Sequence, residues 1–147
     1  MYFVHPQIKL NNLNKAISAL ISQPDVRAFT RKLFVYFPKK QIIFTDMGRS
    51  AFRIIIEKFK LENSEIIFPA YICDIFYPIL KNYNIKPVFI DIDLKNFNIK
   101  SEDINKKISP KTKAILISHT YGFPFDLAGL RKTLGGKLLI IEDCAHS

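Results

Sequence analysis

Four short segments of this chain combine side chains able to hold charged or aromatic groups. Asp46-Met47-Gly48-Arg49-Ser50 places a glycine and a small hydroxyl residue at the start of a helical stretch. Unpaired backbone N–H groups, the positive end of the helix dipole and a hydroxyl then converge, which suits a phosphate dianion. A simpler reading makes Asp46 or Ser50 a helix cap. The segment has neither the glycine spacing of a dinucleotide fingerprint nor the lysine of a Walker loop. Pro69-Ala70-Tyr71-Ile72-Cys73-Asp74 offers a phenol and a thiol that either face a ligand or pack. Ser118-His119-Thr120-Tyr121-Gly122 follows another apolar run, and Glu142-Asp143-Cys144-Ala145-His146 follows the last. Asp143 is badly placed for a core and well placed to hold a cation or a protonated heterocycle in a partly dry cleft. As an alternative it caps whatever element follows. His146 either donates to the same ligand or is a polar loop residue. Cys73, Cys144, His119 and His146 show no zinc-knuckle spacing, so no metal is expected.

The elements that carry these segments are legible from periodicity. Leu10, Leu13, Ala16, Ile17, Leu20 and Ile21 recur at helical spacing up to Ser22, ahead of Pro24, and predict a surface helix. From Gln41 the chain alternates between short apolar runs and helical stretches. Strands are predicted at Ile42–Phe44, Glu65–Phe68, Pro87–Ile90, Ala114–Ile117 and Lys137–Ile141. Helical stretches lie between them, the first turning Ala51, Ile54, Ile55 and Phe59 to one side. The second runs to about Tyr83, the third opens at Ser101-Glu102-Asp103, and the fourth covers Phe125–Leu134 and stops at Gly135-Gly136. The runs are continuously apolar, as burial on both faces requires, so the expected fold is α/β with a mostly parallel sheet flanked by helices. Such sheets bind ligands at the carboxyl ends of their strands, where the four segments fall.

The chain has 147 residues, 48% of them hydrophobic, with 22 basic against 13 acidic side chains and a net charge of +9. This describes a folded domain that buries roughly two-thirds of its unfolded surface, and it excludes disordered and collagen-like classes. The basic residues are scattered as Arg27, Arg31 and Lys32, then Lys39 and Lys40, then Lys106, Lys107, Lys111 and Lys113. No run reaches the length of a nucleic-acid tail, so no nucleic-acid partner is expected. No apolar stretch is long enough for a membrane span, and Met1–Leu10 does not read as a secretory signal. Two cysteines in such a chain point to reduced thiols and a cytoplasmic location.

Taken together, F-T-D-M-G-R-S-A-F at 44–52, E-I-I-F-P-A-Y-I-C at 65–73, K-P-V-F-I-D-I-D at 86–93, I-S-P-K-T-K-A-I-L-I-S-H-T-Y-G-F-P-F-D at 108–126 and L-L-I-I-E-D-C-A-H-S at 138–147 form a recognisable set. In order and spacing they resemble the pyridoxal-phosphate-dependent nucleotide-sugar aminotransferases of the DegT/DnrJ type. The resemblance implies part of the large domain of a fold-type I transferase over residues 41–147, behind a helical arm at 1–40. Gly48, Arg49 and Ser50 match the family's phosphate-holding G-T-S segment, with Arg49 in place of threonine. Cys73 stands where an aromatic more often stacks on the pyridine ring, so either cofactor affinity is lower or another side chain such as Tyr71 covers the ring. Asp143 matches the carboxylate that pairs with the ring nitrogen, and His146 the residue at the ring's phenolic oxygen. This logic agrees with the chemistry, since pyridoxal phosphate is an electron sink only while its ring nitrogen stays protonated.

The resemblance further implies an amino-acid donor, glutamate by expectation, a nucleotide-linked keto-sugar acceptor, and a homodimer. The family's Schiff-base lysine lies beyond the E-D-x-A-H segment, so no residue here is assigned a catalytic role. The chain is expected to be the amino-terminal part of such an enzyme, inactive alone, with exposed apolar surface where the remainder would pack. The rival expectation is a non-catalytic binding or regulatory module built on the same fold.

Overall fold

A computed structural model describes residues 10–22, 25–38 and 41–146. The sequence readings that fall on residues 1–9, Pro24, Lys39, Lys40 and Ser147 lie outside them. The described residues form two compact units, parted between Ile43 and Phe44. The first holds α1 (Leu10–Ile21) and α2 (Val26–Tyr36). Asp25 caps α2, its carboxylate accepting the Ala28 N–H at 2.8 Å. The sequence reading has only α1 here. In α2 Val26, Phe29, Leu33 and Tyr36 recur at helical spacing, a stripe that the sequence reading passes over, and no described residue of the helix is buried.

The second unit alternates as α3 (Gly48–Phe59), β1 (Glu65–Pro69), α4 (Phe76–Asn82), β2 (Lys86–Ile90), α5 (Ser101–Lys107), β3 (Thr112–Ser118), a short 3₁₀ turn at Thr120–Gly122, α6 (Leu127–Leu134) and β4 (Leu139–Asp143). The strands form one sheet in the order β2-β1-β3-β4, every pairing parallel. Each run is apolar on both sides because each side meets a helical layer. Ile66, Phe68, Ala114, Leu116 and Ile141 face a core that holds Phe52, Ile56 of α3 and Ile79, Leu80 of α4. Ile67, Ile115 and Ile117 face the opposite core, closed by Ile104 of α5 and Leu130, Leu134 of α6.

Two expectations are corrected. Ile42–Phe44 is not a strand: the chain runs irregularly there, and Ile43 and Phe44 are half-exposed. Three apolar residues carry too little signal to separate a buried strand from an irregular approach to a helix. On α3 the buried stripe is Phe52 and Ile56, with Ile55 beside it, whereas Ile54 and Phe59 are exposed. Both stripes satisfy helical spacing, and only the direction of the sheet chooses between them.

Glu65 opens β1 almost buried, and its carboxylate is fully engaged. Ser109 Oγ donates to Oε2 at 2.5 Å and Lys86 Nζ to Oε1 at 3.1 Å. The Ser109 hydroxyl, and after it Lys86, holds the Glu65 carboxyl below its ordinary value. A depressed carboxyl stabilises the fold above the unfolded value of about 4.3, and that contribution is lost as pH falls through the folded value. The urea midpoint of the wild type should therefore fall between pH 5 and pH 3 (window ~2 units,) more steeply than that of Glu65→Gln. Parallel curves would exclude the linkage.

Candidate functional site

The carboxyl ends of β1, β3 and β4 and the start of α3 surround a cavity of about 600 Å³. Its volume is in the range of small-molecule sites. Phe52, Ile55, Phe76, Leu116 and Ile141 line its apolar part, and Gly48, Arg49, Tyr71, Cys73, Ser118, Asp143 and His146 bring polar groups to it.

α3 begins from an extended residue, Met47, whose φ is −149° and ψ 155°. The Ser50 N–H folds back onto the Met47 carbonyl at 3.0 Å and that of Ala51 at 3.2 Å. The helix supplies no acceptor for the N–H groups of Gly48 and Arg49. A side chain at Gly48 would meet nothing within 4 Å, so there is open space over the helix start. Ser50 does not line the cavity. Its hydroxyl bonds to Asp46, the main reason that carboxyl lies below its ordinary value, with Arg49 adding a smaller electrostatic share.

At the other end, alternation along β4 sends the side chains of Glu142 and Asp143 to opposite faces. Ile141 faces the α3 side, so Asp143, two residues on, does too, while Glu142 turns to the α6 side, where Arg131 Nη2 lies 3.8 Å from it. Asp143 is half-buried, and its Oδ1 accepts the Ala145 N–H at 3.0 Å. That bond is the cap-like contact open to it from sequence. Oδ2 makes no hydrogen bond among the described residues.

The rim is aromatic. The hydroxyls of Tyr71 and Tyr121 lie 2.8 Å apart, and the Tyr121 ring stacks on His146 with centroids 6.0 Å apart at 21°. Phe97 meets Tyr121 edge-on at 5.0 Å. Tyr121 has φ 56°, the left-handed region that bulky residues avoid, and these contacts hold it there. The hydrogen bond between the two hydroxyls raises the Tyr121 phenol above its ordinary value. Sequence reasoning did not single out Tyr121 or Phe97; the Tyr-Gly pair ahead of a proline was the available turn signal.

The structure thus gathers Gly48, Arg49, Cys73, Asp143 and His146 around one cavity and leaves Ser50 just behind its wall. Cys73 is exposed, and neither it nor Cys144 is in a disulfide. On the α6 side, ligand atoms of His119, Glu142 and Cys144 lie within 4.8 Å of one another. His119 Nδ1 accepts the Phe125 N–H at 3.4 Å, so the ring proton is on Nε2, the atom 3.5 Å from Glu142 Oε2. An imidazole that presents N–H to the cluster is a donor there rather than a ligand.

An anion cradle at one end of an apolar cavity and a carboxylate at the other fit a flat, dipolar molecule with a phosphate tail. Comparison with known proteins agrees with this geometry. Residues 8–147 match the model of the DegT/DnrJ/EryC1/StrS aminotransferase family. A GDP-4-keto-6-deoxy-D-mannose 3-dehydratase of Yersinia pseudotuberculosis is 31% identical over 131 residues, spanning 83% of this chain and 33% of its own. A dTDP-3-amino-3,6-dideoxy-alpha-D-galactopyranose transaminase of Aneurinibacillus thermoaerophilus is 31% identical over 127 residues, 84% of this chain and 34% of its own. Among solved structures, a GDP-4-keto-6-deoxymannose-3-dehydratase with a trapped PLP-glutamate geminal diamine superposes with a TM-score of 0.78 at 25% identity, covering 91% of this chain and 38% of that one. The chain therefore spans about a third of the length of these relatives.

Proposed function

The chain belongs to the DegT/DnrJ/EryC1/StrS aminotransferase family, and from that premise we propose that its complete protein transfers an amino group from glutamate to a nucleotide-linked keto-sugar. The carrying observation is the placement of Asp143 and the open N-terminus of α3 across one cavity. In this reading the N–H groups of Gly48 and Arg49 hold the phosphate of pyridoxal phosphate, and the Arg49 guanidinium adds charge where the family usually has a hydroxyl. Ser50 joins them by releasing Asp46. Asp143 Oδ2 keeps a proton on the ring nitrogen, and His146 faces the phenolic oxygen. Cys73 and Tyr71 sit beside the ring face, Tyr71 supplying the aromatic area that a thiol lacks. When bound, the cofactor supplies an electron sink whose strength depends on that ring proton. Water is kept from the reacting atoms by the apolar walls, chiefly Phe52, Phe76 and Ile141.

A cytoplasmic homodimer completes the proposal. In support, both cysteines lie outside disulfides, no helix among the described residues is long and apolar enough to cross a membrane, and Tyr71, Tyr121 and Phe123 leave the rim apolar and exposed. The organisation we propose for the chain is a helical arm at 1–40 followed by part of the large domain at 41–147.

The test supplies the complete protein with pyridoxal phosphate, glutamate and a nucleotide-linked keto-sugar. An amino sugar and 2-oxoglutarate in equal amounts are expected. A sugar that has lost a hydroxyl and gained no nitrogen would group the protein with its dehydratase relative, and absence of cofactor binding would overturn the reading.

A further inference from the structure

On the far side of β4 from the cavity, His119 gathers the end of the sheet. It is buried, with 8% of its surface exposed. Its main-chain N–H donates to the Asp143 carbonyl at 3.0 Å, which extends the β3–β4 ladder one residue past the strand. Its side chain presents Nε2 to Glu142 at 3.5 Å, and Phe125 N–H orients the ring from Nδ1. Arg131 holds the other oxygen of Glu142 at 3.8 Å. One residue thus grips both neighbours of the Glu142–Asp143 peptide, by a side chain on one and a carbonyl on the other. With the Glu142 side chain held on the α6 face, the alternation of the strand keeps the Asp143 carboxylate on the cavity face.

We propose that His119 is a positioning residue whose imidazole holds Glu142 on the α6 side, so that the Asp143 carboxylate stays aimed at the protonated ring of the bound cofactor. The proposal rests on the reading given above. Groups that orient a ligating side chain from behind cost about 10- to 100-fold in affinity or activity when removed. Loss of His119 should act at that scale through Asp143.

The experiment titrates the complete protein with pyridoxamine phosphate and follows, by ultraviolet absorbance, the pH at which the bound ring loses its proton. In His119→Leu that pH is expected to fall by about one unit and affinity by about tenfold. His119→Gln, which keeps a donor toward Glu142, should recover most of both. A folded His119→Leu that matches the wild type in ring titration would overturn the proposal. Should His119→Leu fail to fold, Glu142→Ala decides, since the Glu142 side chain is partly exposed and alanine leaves Nε2–H no acceptor there: a lowered ring titration supports the positioning role and an unchanged one removes it. A wild type that does not bind the cofactor overturns the functional reading and this inference with it.

Discussion

Asp143→Asn is expected to leave the sheet intact and to lower amino transfer by the complete protein by at least about a hundredfold. The amide has nearly the carboxylate's shape and can still accept the Ala145 N–H through its carbonyl oxygen, a bond of 3.0 Å in the wild type. Folding therefore loses little. The loss is electrostatic: a neutral amide in a partly dry cavity no longer favours the charged form of a ring nitrogen. Since the electron sink depends on that proton, the cost falls on the reaction and much less on binding. Initial rates with glutamate and keto-sugar, alongside thermal unfolding of both proteins, separate the two effects. Full activity in a correctly folded Asp143→Asn would remove Asp143 from the assigned role.

The second large effect is on stability. Ile56→Ala should cost about 2–5 kcal/mol, because Ile56 is fully buried against the sheet and its removal leaves a cavity that the rigid β-layer cannot close. Ile54→Ala, two residues away, should cost less than about 1 kcal/mol, since Ile54 is 37% exposed and alanine is a good helix former. Urea unfolding of the two variants measures the contrast directly. A larger loss in Ile54→Ala than in Ile56→Ala would mean that α3 turns its other face to the sheet.

Three of the four site segments were readable because each follows an apolar strand with polar residues that a core would reject, and the fourth because a glycine and a hydroxyl open α3. Gly48, Arg49, Cys73, Asp143 and His146 all lie on one cavity for that reason. Ser50 shows the limit: its position in the helix start was clear, but its bond to Asp46 depends on where an exposed acid turns. Tyr121 and Phe97 were out of reach for a related reason. Their left-handed backbones and mutual edge-on contact arise only when two loops distant in sequence meet.

Composition and periodicity were sufficient for the alternation of strands and helices and for the parallel class of the sheet. Those features follow from local spacing and from the double burial of each apolar run. Folding in three dimensions settled the strand order, the buried stripe of α3, the irregular course of Ile42–Phe44 and the clasp of His119 on Glu142 and Asp143. Each of these is a choice between arrangements that satisfy the same local pattern equally well. The choice is made by contacts between residues far apart along the chain, whose energies no window of neighbouring residues contains.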